Sequence, residues 1–349
     1  MNKKTRIFLV ASALTLSVGL CTGLLAYYGG LPTMASMREA GPDELKFVPG
    51  DAAIVAHANV REVMASEFRQ TLRQILPDGD KHGQEQFQAE TGINVEEDID
   101  SVTACMWPNA AGGDGNGENA TGFVMLRGRF DTARLEAKAR EHKNVQVEEF
   151  HGARLLRLMH DGNSEESSPS TPPRDGELHH RKTAVLAFVE PGLMMFGEEA
   201  PIKRALSRSA ESVQVNSEMM NLISEVEGNA NLWAVGRVDL LLNRVGKLPE
   251  PLASQLPQVT RFAASSKING GLTAELRAEA RDDEAAKNLR EVVQGFLALV
   301  KMQAGNKPEM QALVQSLQLS GSGKSVALSF QVPAEFINAM ASKHQKPVE

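Results

Sequence analysis

The sequence predicts an α+β protein: an N-terminal transmembrane helix, then an ectodomain of antiparallel sheets with helices packed on one face. Three observations predict it. A long uncharged apolar run lies near the start of the chain. Segments with alternating apolar and polar residues fold back through short turns, which is typical of antiparallel strands. Amphipathic stripes with helical spacing lie between them.

The apolar run is Ile7–Tyr28, 22 residues without a charge. A membrane-spanning helix needs about 20 such residues. Lys3, Lys4 and Arg6 precede the run, and cationic flanks stay on the cytoplasmic side. We therefore expect a single-pass protein that contacts the lipid bilayer through residues 7–28. The bulk of the chain is then extracytoplasmic, and periplasmic if the host has two membranes.

Three other interpretations of this run compete with the anchor. A cleaved signal peptide has an apolar core of roughly 7–15 residues, shorter than this run, although Thr33-Met34-Ala35 offers a cleavage site near Ala35. A lipoprotein signal needs a small residue before its cysteine, and Leu20 precedes Cys21. A buried core helix is disfavoured by the terminal position and cationic start. An uncleaved anchor is favoured, and cleavage stays open.

The chain divides at clusters of glycine and proline. The predicted segments are a cytoplasmic tip and anchor at 1–28, a tether at 29–50, a first α+β half at 51–210, a second half at 211–342 and a tail at 343–349. A Ser-, Glu- and Pro-rich stretch at about 161–182 has no apolar period, which predicts a disordered insertion in the first half.

The first half begins with a buried strand at Ala52–Val60 and a helix carrying Phe68, followed by a short helix at Gln84–Glu90. The later elements are the strands Val102–Trp107 and Gly122–Phe130, a helix Thr132–His142 capped by Asp131, the hairpin strands Val145–Phe150 and Arg154–Met159, the strands Thr183–Val189 and Leu193–Phe196, and a helix from Pro201 to about Ser207.

The second half shows the clearest alternation. After Gly271, apolar and polar residues alternate strictly to Ala280, which predicts a strand with one wet face, and the stripe of the Asp282-capped helix should lie on the dry face. Its predicted elements are helix Ser217–Val226, strand Asn231–Val238, helix Asp239–Val245, hairpin Val259–Asn269 with Gly271–Ala280, the Asp282-capped helix, helix Pro308–Leu317, hairpin Gln318–Ser320 with Val326–Val332, and helix Ala334–Ala341.

The order strand, helix, hairpin, helix, hairpin occurs twice, which predicts an internal duplication. In this matching, hairpin 145–159 corresponds to hairpin 318–332, and the strands at 183–197 are extra. Chance alternation of helices and strands is the competing explanation. The two copies are also weakly similar around Asn59-Val60-Arg61 and Arg237-Val238-Asp239.

Several short motifs carry a resemblance to a known family. They are Phe47-Val-Pro-Gly-Asp-Ala52 followed by Asn59-Val60, Thr91-Gly-Ile-Asn94 before Asp98-Ile-Asp100, and Gly128-Arg-Phe-Asp131. Together they resemble an uncharacterised bacterial family of single-anchor extracytoplasmic proteins, over most of residues 45–340. The resemblance implies location and architecture but no activity.

Composition restricts the class of partner. The chain has a formal charge of −7, and removing the three cations before the anchor leaves −10 for the rest. An acidic body argues against nucleic acid, which requires clustered Lys and Arg. Of the two cysteines, Cys21 lies in the anchor, so no internal disulfide can form. Cys105 lies in an apolar strand and is predicted to be a buried thiol.

Two motifs resemble ligand sites and fit poorly. Gly321-Ser-Gly-Lys-Ser325 resembles the end of a phosphate-binding loop, but a strand follows instead of a helix, so a hairpin turn is expected and no nucleotide. Asp114, Asn116 and Glu118 alternate like calcium ligands, but Asn119 and Met125 stand where that loop needs glycine and a carboxylate. A solvated loop is the simpler interpretation. Asn119-Ala-Thr121 also matches a glycosylation sequon, but the loop does not require glycosylation to explain it.

The titratable candidates are dispersed. His57 lies inside a strand, where a core histidine is the default. Zinc binding at the edges of the insertion would use His160, Asp161, His179 and His180. Hydrolysis by a carboxylate run would use Glu96, Glu97, Asp98 and Asp100. Both hypotheses are disfavoured. We therefore assign no catalytic, cofactor-binding or metal residues.

Three functional hypotheses follow. The leading one is a non-enzymatic interaction or scaffolding module that contacts envelope proteins. The second is a small-ligand or lipid-binding module that uses the Met-rich segments at Met194, Met195, Met219 and Met220. The third is a hydrolase with dispersed carboxylates.

Overall fold

Twelve antiparallel strands form one continuous sheet in the computed structural model. The structure describes residues 42–70, 88–89, 92–94, 96–108, 120–141, 145–158, 184–207, 211–238, 258–304, 308–332 and 336. The predicted anchor and the insertion at 161–182 lie outside these ranges, as do the predicted helices at 239–245 and 334–341 except Phe336. No helix in the described ranges is long and apolar enough to cross a membrane.

The strands follow the order β11-β12-β10-β9-β8-β1-β2-β3-β7-β6-β5-β4 across the sheet. The first half contributes β1 (Ile54–Ala58), β2 (Ile99–Pro108), β3 (Ala120–Gly128), β4 (Val145–Phe150), β5 (Ala153–Leu158), β6 (Ala184–Glu190) and β7 (Leu193–Glu198). The second half contributes β8 (Leu232–Arg237), β9 (Val259–Ile268), β10 (Leu272–Ala280), β11 (Gln318–Ser320) and β12 (Ser325–Val332). The α+β class and the predicted hairpins are confirmed.

Six α-helices have their bounds described: α1 (Val60–Ala65), α2 (Thr132–Glu141), α3 (Glu199–Ser207), α4 (Ser217–Glu227), α5 (Asp283–Ala304) and α6 (Pro308–Ser316). The predicted caps are present. The carboxylate of Asp131 accepts from the amide of Arg134 at 2.9 Å, and that of Asp282 accepts from the amide of Ala285 at 2.8 Å. Two short 3-10 helices, Asp43–Phe47 and Val213–Val215, complete the described elements.

The expectation of separate sheets with helices on one face is wrong, because helices cover both faces of a single sheet. Face A, which carries Val55, Met125 and Trp233, packs against α3 and α4. Face B, which carries Val102 and Leu232, packs against the other four helices. The strands carry apolar side chains on both sides of the sheet, so each face must be covered by helices of its own.

The predicted match between hairpins is also wrong in sheet position. Strand β12 lies beside β10, and β7 lies beside β3. The hairpin β6–β7 is therefore the topological counterpart of β11–β12. The extra elements of the first half are β4 and β5, which extend the sheet beyond β6.

Residues 42–50, which we call the N-terminal strap, are not the tether that composition predicted. Leu45, Phe47 and Val48 are buried in the face A core. Glu44 is only 2% exposed and pairs with Arg127 of β3. The amide of Gly50 donates to the carbonyl of Glu211, and the amide of Val213 donates to the carbonyl of Val48, both at 2.7 Å. The strap is therefore part of the folded body.

A body that starts at residue 51 should be much less stable than one that starts at residue 42. Removing the strap exposes the apolar surfaces covered by three buried side chains, each worth about 1.5–3 kcal/mol, so the loss should exceed about 4 kcal/mol. Urea unfolding of the two truncated bodies measures it. Equal midpoints would show that residues 42–50 are a tether after all.

Candidate functional site

A charged network lies on face A where the extra hairpin meets α3. Arg157 of β5 donates to Glu199 from Nε at 2.9 Å and to Glu148 of β4 from Nη2 at 3.0 Å. Lys203 donates to Glu148 at 2.8 Å, and its ammonium lies 5.1 Å from the Phe150 ring centroid. The hydrogen bond from Arg157 holds the pKa of Glu199 at about 2. The network joins the extra hairpin to α3.

Sequence reasoning missed this network. The pair Glu199 and Lys203 is spaced i, i+4 on a helix, which is a visible signal. The contribution of Glu148 depends on the β4–β5 register, in which it lies opposite Leu155. Each cation contacts two carboxylates, so the geometry fastens elements together and leaves no free carboxylate pair within the network for acid–base chemistry.

A surface depression of about 230 Å³ lies between the strap, the β4–β5 turn and the end of α3. Glu190 on its wall accepts from Lys46 at 2.8 Å. His151 and Gly152 both have positive φ, 49° and 83°, as a two-residue type I′ hairpin turn requires. The lining residues are Phe47, His151, Ala153, Val189, Glu190, Leu206 and Ser207. The depression is smaller than the roughly 300–1,000 Å³ typical of ligand pockets.

His57 lies on face A at the centre of the sheet. Its Nδ1 is 2.9 Å from the hydroxyl oxygen of the fully buried Thr103, and its ring centroid is 5.6 Å from that of Trp233. Desolvation by burial lowers the pKa of His57 to about 4. A neutral, hydrogen-bonded ring packed on an aromatic is the environment of a core histidine.

The carboxylate run before β2 does not converge. Asp100 pairs with Arg61, and Glu96 pairs with Arg69. The carboxylate of Asp98 accepts from the amide of Asn94 at 2.8 Å. These acids cap the turn and bind neighbouring arginines, as a structural interpretation predicts.

The remaining candidates have structural surroundings where the structure describes them. Cys105 is buried, with Sγ 3.9 Å from the carbonyl oxygen of Phe123, and desolvation raises its pKa well above the ordinary value. Gly321–Ser325 is the β11–β12 turn, where Gly321 and Gly323 have positive φ and Arg290 donates to the carbonyl of Ser325 at 2.9 Å. Residues 114–118, His160, Asp161, His179 and His180 lie outside the described residues.

The methionines considered for a ligand cavity fill the core. Met195 and Met219 are buried in the face A core and Met194 in a face B cluster, while Met220 packs against the face A core. Across the described ranges, no group of three or more His, Cys, Asp or Glu could hold a metal ion.

Comparison with known proteins gives a distant likeness in fold. No family model and no curated protein matches the chain. Among solved structures, crystal form I of TP0453 aligns over 88% of this chain and 100% of its own, with 10% identity and a TM-score of 0.42. Crystal form IV of TP0453 aligns over 88% and 98%, with 8% identity and a TM-score of 0.43. The family expected from the short motifs stays a prediction.

His57 should make the body less stable as the pH falls from about 6.5 to about 4. The unfolded chain protonates first, near 6.5, and the folded chain only near 4. Stability is therefore complete above this window and falls by up to about 3 kcal/mol across it. Urea unfolding at several pH values gives the free energy of unfolding as a function of pH. Between about pH 6.5 and 4, that free energy should fall less steeply for His57→Asn than for the wild type.

His151→Gln is the matched control, because His151 is exposed. Its stability should follow the wild-type pH dependence. Parallel curves for the wild type and His57→Asn would contradict the prediction. Three acids also have lowered pKa values: Glu148, Glu199 and Asp282. Their contribution to stability is lost only below about pH 4.5, which is mainly outside this window.

Proposed function

We propose that the chain is a single-pass, membrane-anchored extracytoplasmic protein whose body is a non-enzymatic interaction or scaffolding module of the cell envelope. The observation that carries the proposal is the uncharged run Ile7–Tyr28 with three cations before it, followed in the chain by a folded body that includes residue 42. Such a run inserts with its cationic end in the cytoplasm.

The body supports a binding role more than a chemical one. Its charged groups at the candidate positions make ion pairs or cap backbone amides. The depression beside the strap is small, and Glu190 on its wall pairs with Lys46. The methionines fill cores, so the small-ligand alternative has less support than interaction through the surface, and the hydrolase alternative has less still.

We also propose that the two halves arose by duplication. Each half contributes a central strand (β1 or β8), a hairpin beside it (β2–β3 or β9–β10), a capped helix (α2 or α5), and a second hairpin whose last strand closes on the first hairpin (β6–β7 or β11–β12). This repeated order supports one ancestral unit, with β4–β5 added to the first copy.

A reporter fused after residue 349 tests the location. Alkaline phosphatase, which folds outside the cytoplasm, should be active there, and a cytoplasmic fluorescent reporter should be dark. Replacing Lys3, Lys4 and Arg6 by glutamate should weaken this orientation, because the cation bias sets it. A reporter active only in the cytoplasm would overturn the proposal.

An epitope before residue 3 distinguishes anchoring from cleavage near Ala35. The uncleaved anchor predicts that this epitope and the C-terminus stay on one polypeptide in the membrane fraction. Partners are then sought by crosslinking and mass spectrometry from detergent extract. A control that bears only residues 1–41 is the matched background, and recovery of no protein above it would count against the interaction role.

A further inference from the structure

The C-terminal half of α5 exposes large apolar side chains. Met302 is 78% exposed and Leu299 53%, and they are the most and third most exposed large apolar residues in the described ranges. Residues 292–304 of this helix contain one charge, Lys301. The exposed surface is thus an apolar stretch of a helix whose other side is in the core.

The exposed side chains share one flank of α5. Arg290 donates to the carbonyl of Ser325 in the β11–β12 turn, so its flank faces the sheet edge. Leu299 is nine residues after Arg290, and at about 100° of rotation per residue it lies on the opposite side of the helix. Gly295 on the same side has open space around it. We call Val292, Gly295, Leu299 and Met302 the α5 flank.

This flank lies at the end of the body where the N-terminal chain leaves. Helix α5 starts after β10 ends, is about 33 Å long and leads within four residues to α6. The Ser316 hydroxyl at the end of α6 bonds the backbone of Gln331, which pairs with Thr273 at the start of β10, so the chain returns to that end and Met302 lies toward it. Strand β3 finishes at that same end. There the strap is held by the pair Glu44–Arg127 and by Lys46–Glu190. Pro42 and the α5 flank therefore share one end of the sheet.

The length of chain before Pro42 limits the distance to the predicted anchor. Residues 29–41 span at most about 45 Å when fully extended. The bilayer that residues 7–28 would cross is therefore within reach of this end of the body. Docking there would be intramolecular, and a tethered contact needs little area to be populated.

The size and charge of the flank point to the bilayer surface as its occupant. Two exposed side chains offer far less than the roughly 800 Å² per partner of a standard protein interface. A few bulky apolar side chains on one helix flank can instead be buried in the headgroup region of a bilayer. The flank is uncharged and the body carries −10, which favours zwitterionic over anionic lipid.

We propose that the α5 flank docks on the surface of the bilayer that holds the anchor, with Leu299 and Met302 inserted among the lipid headgroups. The proposal rests on the anchoring proposed above. It gives the body a fixed orientation, with the strap end toward the membrane and the opposite end, where β10 finishes, free for partners.

Tryptophan quenching by brominated lipid tests the docking in the full chain, reconstituted in phosphatidylcholine vesicles. The native Trp107 and Trp233 are buried and provide the background. We expect brominated phosphatidylcholine to quench Met302→Trp roughly twofold more than Lys287→Trp, given an insertion depth of 5–10 Å. Lys287 is the matched control, because it is on the same helix, 75% exposed and near the other end.

The outcomes separate docking from anchoring. Equal, weak quenching of both variants in chains that float with the vesicles would overturn the docking and leave the anchor intact. Chains that do not float would overturn the anchor and the docking together. If residue 302 is shielded from aqueous acrylamide but not quenched by lipid, a second copy or another protein covers the flank, and the bilayer assignment is wrong. Stronger quenching that persists in high salt supports the proposal.

Discussion

The pairing of β1 with β8 is the contact on which the rest of the structure depends. These strands come from different halves of the chain, and five residue pairs join them, from Ile54–Gly236 to Ala58–Leu232. At the end of the pair, the buried side chain of Asn231 bonds both the amide and the carbonyl of Ile268. The backbone carbonyl of the same Asn231 accepts from the amide of Asn59 in the first half at 2.7 Å. Separating the halves would leave this pair and the β1–β8 ladder without partners, at about 1–3 kcal/mol for each group that stays buried. One sheet therefore unites the two halves.

Face A of the sheet differs between the first and the second half of the chain. Face A of the first half has an apolar core covered by the strap and α3, with the Arg157–Glu199 ion pair at its edge. Face A of the second half carries ion pairs instead, such as Arg277 of β10 with Glu225 of α4 at 2.8 Å. The strict alternation after Gly271 requires this difference, because the polar residues of β10 all point to one side. Face A is therefore apolar near the centre of the sheet, where Trp233 and Val235 join the core, and polar along β10.

Sequence reasoning predicted the local elements well and their assembly poorly. Alternation and turn residues fix a hairpin such as β4–β5 locally, because its partners are neighbours in the chain. The position of β7 beside β3 is fixed by contacts about 70 residues apart, for which one sequence holds no signal. The composition of the strap predicts a tether because Pro42, Pro49 and Gly50 are typical of linkers, whereas the burial of its three apolar residues depends on contacts with distant strands. The expectation of a structural role for His57 and Cys105 agrees with their surroundings, whereas the ion-pair network required the strand register.

The strap changes what an anchor would do to the body. A tether from residue 29 to 50 would let the body rotate freely, whereas the chain outside the described fold has 13 residues between Tyr28 and Pro42. The strap is bonded to β3 through Glu44 and to the connection between the halves through Gly50. Any restraint at the bilayer is therefore passed to the middle of the sheet and not to a loop at its edge. If the anchoring proposed above holds, a body held so closely would present one end to the lipid, and the exposed α5 flank is at that end.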